Sequence, residues 1–217
     1  MKNYAKCLMA LLAVMCSATA AQAQYYSIVN QATSMLQTAL TGGFRYRGFV
    51  DASYNRGLGD NRADMLEFST TQGVKYADWF FMGVGAGVDV MFAHPADEYS
   101  NPYDKSLTET ACMVPLFTEF RFNIGGDASP SFFIAARVGA SFLIGKDYLQ
   151  VGDGHINRSE CFYFKPIAGL RIPVSGTNPK QAFNIGASYT LITTEYWSGH
   201  SRNLALSSMG ISIGFEW

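Results

Sequence analysis

Residues 79–92 of this 217-residue chain read WFFMGVGAGVDVMF, and this stretch decides what kind of fold the chain can form. Large apolar side chains stand at every second position from Phe80 to Phe92. From 83 to 89 the residues between them are small or charged, namely Gly83, Gly85, Gly87 and Asp89. An alternation with a period of two predicts a β-strand whose two faces meet different surroundings.

Seven other stretches alternate in the same way, at 44–56, 65–76, 111–124, 132–145, 160–174, 182–194 and 204–217. The last of them contains GISIGFEW (210–217), where Ile211, Ile213, Phe215 and Trp217 share one face. We expect this strand to pair with the first one, because that pairing closes the sheet and removes its edges. Eight strands are an even number, as an antiparallel barrel requires.

The connections between these stretches alternate in length. Tight turns are expected around 77–78, at 125–131 and at 175–181, whereas longer polar loops are expected at 93–108 and 146–158. Short turns at one end and longer loops at the other are typical of an outer-membrane barrel. A soluble β-sandwich or a lipocalin-like barrel also has a period of two, with its apolar face turned inward.

Charge segregation favours the membrane alternative. Twelve charged residues share the less apolar faces: Arg45, Arg47, Asp51, Glu67, Lys75, Asp89, Glu119, Arg121, Arg137, Lys165, Arg171 and Glu216. An eight-stranded barrel has a filled interior, and buried charges must neutralise one another. We therefore predict a closed interior charge network without an open pore, with Arg45 or Arg47 as the partner of Glu216.

Aromatic residues at the ends of the apolar faces support the same interpretation. Tyr and Phe side chains stand near both ends of the strands, as in the two interfacial belts of a membrane barrel. The members are Tyr46, Phe80, Phe132, Phe215 and Trp217 near the short turns, and Tyr54, Phe92 and Phe162 near the long loops.

The first 43 residues differ from the rest. Residues 1–23 have a positive start, an apolar stretch and the small-x-small pattern Ala21-Gln22-Ala23, which together predict a signal peptide cleaved before Gln24. Residues 24–43 have helical spacing and are expected to form a short helical or irregular extension before a barrel at 44–217. Removal of 1–23 leaves 14 basic and 17 acidic residues, so no basic excess points to nucleic acid.

Two residue types test the strand assignment. Pro115, Pro166 and Pro173 fall inside strands, where bulges or strand ends must accommodate them. Cys112 and Cys161 lie on opposite faces of strands that are separated by another strand, about 10 Å apart, which is beyond disulfide reach. We predict two free thiols.

The chain resembles the small outer-membrane β-barrels of the OmpA/OmpX type, and most closely the porin-family barrels of Bacteroidetes. The resemblance is carried by the cleavage pattern at 21–23, FRYRGFVDASYNRGLGD at 44–60, WFFMGVGAGVDV at 79–90 and the aromatic Phe215 and Trp217. It implies that Phe215 and Trp217 form the signal read by the barrel-assembly machinery. This family has no common catalytic set.

The polar loops hold the remaining candidates for recognition or chemistry. Acidic and aromatic residues in 93–109 could bind a cation, a sugar or a protein, namely Asp97, Glu98, Tyr99, Tyr103 and Asp104. His94, His155 and His200 fall in or beside the loops without paired ligand spacing, so ordinary solvated residues are the favoured interpretation. Lipid A deacylases of similar architecture use a His and a Ser that face lipid, and none of these histidines has that position.

The sequence therefore predicts an all-β, eight-stranded antiparallel up-and-down transmembrane barrel that is exported to the outer membrane. Its expected role is structural or recognition through extracellular loops, without catalytic, cofactor-binding or metal-binding residues. Two alternatives stay open: a small porin-like solute or ion channel, and an envelope lipid- or peptide-modifying enzyme. Expected partners are outer-membrane lipid, the assembly machinery and an unidentified extracellular protein or glycan, but no nucleic acid; we expect a monomer.

Overall fold

The structure, a computed structural model, describes residues 44–59, 63–92, 110–151, 154–157, 161–175, 178–194 and 204–217. The predicted signal segment 1–23, the extension 24–43 and the loop 93–108 lie outside the described residues. Every element in the described part is a strand. The strands are β1 Phe44–Leu58, β2 Asp64–Tyr76, β3 Phe80–Phe92, β4 Ala111–Ile124, β5 Ser131–Ile144, β6 Tyr148–Val151, β7 Gly154–Asn157, β8 Cys161–Ser175, β9 Asn178–Thr194 and β10 Leu204–Glu216.

Eight of these strands close into an antiparallel barrel with the order β1-β10-β9-β8-β5-β4-β3-β2. The predicted fold class is thus confirmed, and each predicted strand agrees with its observed counterpart to within a few residues. The exception is 146–158, which we expected to be a loop. It contains the hairpin β6–β7, which pairs Tyr148 with Asn157 through Val151 with Gly154.

The register fixes the dimensions of the barrel. Paired residues lead once around it from Gly48 through Gln72, Val84, Thr118, Val138, Phe164, Leu191 and Ser207 to Leu58. One circuit therefore advances ten residues along β1, from 48 to 58. With the standard strand spacings, this shear gives a strand tilt of about 40° and a radius of about 8 Å, so side chains can fill the interior.

The three prolines lie where strand pairing is disturbed, as predicted for bulges. Pro115 lies in a gap of the β3–β4 pairing, and Pro166 lies in a gap of the β8–β9 pairing. Pro173 begins a register shift between β8 and β9. Proline has no N–H to donate to a neighbouring strand. At these irregular positions its missing hydrogen bond therefore disturbs little regular pairing.

The two faces of the sheet are divided as the alternation predicts. The outward face exposes large apolar side chains, including Val84, Leu116, Ile185, Ile211 and Ile213. The inward face carries most of the charged residues, and their side chains are buried. This arrangement is the reverse of a soluble sandwich or lipocalin-like barrel, in which the apolar face points inward. No helix in the described part of the chain is long and apolar enough to cross a membrane.

We name the two ends of the barrel by their connections. The short-turn end carries the connections β2–β3, β4–β5 and β8–β9, and the long-loop end carries β1–β2, β3–β4, β5–β8 and β9–β10. Different residues close the interior at each of these two ends.

Candidate functional site: the interior of the barrel

The structure buries eleven of the twelve charged residues that the sequence placed inside the barrel, and Arg45 is the exception. Arg45 has the inward parity but precedes Gly48, the residue at which β1 starts to pair with the end of β10. Its side chain is 43% exposed and pairs with Asp78 in the β2–β3 turn. Arg45 therefore lies at the rim, outside the network.

Arg137 is the centre of the buried network. Its Nε donates to Glu119 Oε2 at 2.8 Å, and its Nη1 donates to Glu67 Oε1 at 3.0 Å and to Ser69 Oγ at 2.8 Å. Its Nη2 donates to Asp51. The guanidinium thus joins three carboxylates from β1, β2 and β4 through charge-assisted hydrogen bonds, which are stronger than neutral ones.

Arg121 lies on the short-turn side of Arg137 and shares its partner Glu119. Its Nη2 lies 2.8 Å from Glu119 Oε1. The guanidinium is stacked between two aromatic rings, 4.0 Å from the centroid of Phe49 and 4.6 Å from that of Phe133. These cation–π contacts replace part of the hydration that burial removes.

Lys165 completes this group on the opposite wall. Its Nζ lies 2.8 Å from Glu67 Oε2 and 2.7 Å from Ser53 Oγ, and the Tyr163 hydroxyl donates to Glu67 at 3.1 Å. We call the six charged residues of this layer the central cluster: Asp51, Glu67, Glu119, Arg121, Arg137 and Lys165.

A second group closes the short-turn end. Asp127 belongs to the β4–β5 turn, which folds back into the barrel so that its carboxylate meets Arg47 at 3.5 Å and also Lys75. Arg171 donates through Nη1 to the Asp127 carbonyl at 2.8 Å. Gly125 and Gly126 permit this turn because both have positive φ, 118° and 83°.

Glu216 joins the same group, which we call the basal cluster: Arg47, Lys75, Asp127, Arg171 and Glu216. Glu216 lies 3.1 Å from Arg47 Nε and 2.6 Å from Arg171 Nε. Of the two partners predicted for it, Arg47 makes the contact and Arg45 does not. Sequence reasoning missed Asp127, because a turn residue has no strand parity; the adjacent glycine pair was the available indication of an inward-folding turn.

An apolar cluster closes the long-loop end. Its buried side chains stand at the last inward positions of their strands, and Leu149 of β6 joins them from the hairpin. We call it the apolar plug: Met65, Met91, Met113, Leu143, Leu149, Cys161, Ile192 and Leu206. Below it, Phe117 stacks on Tyr163 with centroids 5.8 Å apart, and Arg137 lies 4.8 Å from the Phe117 centroid. The plug was visible in the sequence as inward-parity methionines near the ends of three consecutive strands.

Asp89 lies between the plug and the central cluster and differs from every other inward acid. It is fully buried, and neither carboxylate oxygen has a hydrogen-bond partner in the part of the chain that the structure describes. Its directly opposite residue on β2 is Glu67, whose oxygens already accept from Arg137, Lys165 and Tyr163.

At the short-turn end, two groups of aromatic rings make contacts, and they include Phe80 and Phe215 of the predicted belt. Trp79 stacks on Phe122 at 6.1 Å and contacts Phe80 at 5.5 Å, and Phe183 lies 5.3 Å from Phe215. Trp217 exchanges two backbone hydrogen bonds with Gly48, at 3.0 and 3.1 Å, and so completes the β1–β10 seam. The C-terminal pair Phe215 and Trp217, predicted as an assembly signal, is therefore part of the closing strand pair.

Several other candidates have different outcomes. Asp97, Glu98, Tyr99, Tyr103 and Asp104 lie outside the described residues, as do His94 and His200; His155 is placed by its backbone in β7. Both Cys112 and Cys161 are buried and neither forms a disulfide, as predicted. Among the described residues, no group of three His, Cys, Asp or Glu side chains is arranged to hold a metal ion.

Solved structures of other barrels resemble this one, and two of them are described here. The crystal structure of Neisserial surface protein A has a TM-score of 0.56 at 12% identity and covers 81% of this chain and 98% of that chain. The crystal structure of the outer membrane enzyme PagL has a TM-score of 0.51 at 16% identity and covers 76% of this chain and 97% of that chain. At these identities the likeness concerns the fold, which is that of small outer-membrane barrels. No protein-family model matches the sequence, and no curated relative matches it either.

Proposed function

We propose that the protein is an outer-membrane β-barrel without a conducting pore, which serves a structural or recognition role through the loops at its long-loop end. The observation that carries this proposal is the filled interior. The basal cluster, the central cluster and the apolar plug follow one another along the barrel axis, so each level of the interior is occupied by buried side chains.

The outward face supports residence in a bilayer. A soluble protein rarely exposes a continuous apolar surface of this kind. The barrel strands contain 13–17 residues. At a tilt of about 40° even the shortest spans roughly 30 Å along the axis, which exceeds the apolar band of an outer-membrane barrel. We therefore propose the outer membrane as its location, reached after removal of residues 1–23, with the long loops outside the cell.

A closed interior leaves the loops as the surface on which a partner can be recognised. The acidic and aromatic residues at 97–104 are our candidates for contacts with an extracellular protein or glycan. The chain also fits the OmpA/OmpX-like barrels of Bacteroidetes in its strand pattern and its aromatic C-terminal residues, and we propose that affiliation.

The proposal predicts no steady ion conductance. The barrel, refolded in detergent and shown to be folded by faster gel migration before boiling, should give no single-channel steps in a planar bilayer, because the plug and the two charge clusters leave no continuous water path. A general porin added to the same bilayer is the positive control. Steady unit steps that scale with the amount of barrel would contradict the closed interior and favour the channel alternative.

The proposal also predicts no turnover of envelope lipids. PagL is named as an enzyme, so the test is direct: incubate the barrel with outer-membrane lipid and examine the products by mass spectrometry. We expect no product above the level of a boiled sample. Product formation that disappears when His94, His155 and His200 are replaced together by alanine would establish the enzyme alternative instead.

A further inference from the structure

Three methionines surround Asp89 on the inner wall. Met65 and Met91 are directly paired across β2 and β3, and Met113 of β4 is directly paired with Asp89 itself. Met91 follows Asp89 by two residues, so both side chains point inward. Directly paired residues have Cβ atoms about 5 Å apart and diagonal neighbours about 7–8 Å, so three thioethers lie within reach of one carboxylate.

All four side chains are removed from solvent. Met65 is 2% exposed, and Met91, Met113 and Asp89 are 0% exposed. Methionine has three rotatable bonds and a polarizable sulfur, so three of them on adjacent strands can turn their sulfur atoms toward one point without movement of the backbone.

The carboxylate is the second and independent observation. A buried carboxylate without a partner is costly, and Asp89 has none among the described residues. The central cluster together with Asp89 contains four carboxylates, Asp51, Glu67, Asp89 and Glu119, against the three cations Arg121, Arg137 and Lys165. When all of these groups are ionised, the layer has one surplus negative charge, and this charge lies beside three neutral sulfur donors.

We propose that Met65, Met91, Met113 and Asp89 form a binding site for a soft monovalent cation of the Cu(I) or Ag(I) class. Thioether sulfur favours such ions over Na⁺, Mg²⁺ or Ca²⁺, which prefer oxygen. One bound monovalent cation balances the surplus charge of the layer. Binding changes no oxidation state, because the ion enters and leaves as the monovalent form.

Silver nitrate is the probe, because Ag(I) is stable in air and needs no reductant. The full barrel carries C112S and C161S so that no thiol competes, and it is held in chloride-free detergent. Metal analysis after ultrafiltration should find one silver ion bound per barrel. Met65→Leu, Met91→Leu and Met113→Leu combined should abolish this binding, and Asp89→Asn should weaken it roughly 10- to 100-fold.

The outward methionines supply the matched control. Met82 and Met209 are 44% and 56% exposed on the outer face. Met82→Leu combined with Met209→Leu should leave the stoichiometry and the affinity unchanged. Faster gel migration before boiling identifies the variants that fold, and if the triple variant does not, Met113→Leu alone must weaken binding at least tenfold.

Any of four results would overturn the proposal, three of which concern the inner site. These three are absence of stoichiometric silver in the cysteine-free barrel, equal affinity after the inner methionines are replaced, and equal affinity in Asp89→Asn. Loss of silver only when the outer methionines change would likewise place the ion elsewhere.

Discussion

At the scale of single residues, Arg137 forms buried ion pairs with three carboxylates of the central cluster. Its removal leaves Asp51 buried without its ion-pair partner, while Glu119 keeps Arg121 and Glu67 keeps Lys165. Breaking a buried ion pair from one side typically costs 3–5 kcal/mol. We expect Arg137→Met to lower the free energy of unfolding by about that amount in urea titrations of the barrel in lipid vesicles.

Arg45 provides the control for this prediction. It makes one salt bridge, with Asp78, and both side chains are about half exposed. An exposed pair contributes about 0–1 kcal/mol, so Arg45→Met should change the unfolding free energy by no more than that. Equal losses for the two variants would show that the three-carboxylate cluster around Arg137 is not the source of the stability.

At the scale of elements, the end of the β1–β10 seam contains a glycine, Gly48, that packs closely against Trp217. A Cβ placed on Gly48 would overlap the Trp217 indole and approach the Gln72 side chain. Gly48→Leu should therefore displace Trp217 and disturb the last pair of the seam, at a cost of about 1–3 kcal/mol for the overpacking. The measurement is the folded fraction on an unboiled gel over a urea series.

The comparison variant is Ala52→Leu, four residues further along the same outward face of β1. Ala52 pairs with Ile213 and Phe68, and its side chain is half-buried at the outer surface of the barrel. Extra apolar volume there meets lipid or detergent, so the folded fraction should stay close to that of the parent. If Gly48→Leu and Ala52→Leu gave the same folded fraction, the role given to Gly48 would be contradicted.

At the scale of the whole molecule, the interior is closed twice, by different chemistry at each end. Asp127→Ala removes the carboxylate that Arg47 and Lys75 share, and should loosen the short-turn end. The apolar plug at the other end contains none of these residues. We therefore expect the D127A barrel to remain silent in a planar bilayer, with a lower midpoint of urea unfolding than the parent.

If the D127A barrel conducted ions, the basal cluster would be the only part of the interior that blocks them in the parent barrel. In that case hydrated ions would have to cross the plug in a steady flow, which its apolar side chains oppose. A variant with Leu143→Ser and Leu206→Ser in the plug and with Asp127 intact then distinguishes the two ends. If the basal cluster alone closes the barrel, this variant should also give no conductance.

Much of the strand layout could be predicted because alternation is a local property. In a strand, successive side chains point to opposite faces, so parity alone placed Asp51, Glu119 and Arg171 inside without knowledge of their neighbours. The same reasoning failed for Arg45, because parity gives the face but not the height along the barrel. It missed Asp127 and the hairpin β6–β7, because a segment that leaves the sheet carries no parity.

The sequence by itself determined the eight strands, the apolar face of each strand and the inward direction of most charged side chains. It did so because the two-residue alternation of apolar and polar residues is a local property of the chain. The tertiary structure decided which charges meet. Arg137 reaches Glu67 across 70 residues and Asp51 across 86, and Lys165 reaches Ser53 across 112. Those contacts follow from the shear of the closed barrel, which sets the height of every inward side chain. The same shear left Asp89 among three methionines without a basic partner in the described chain.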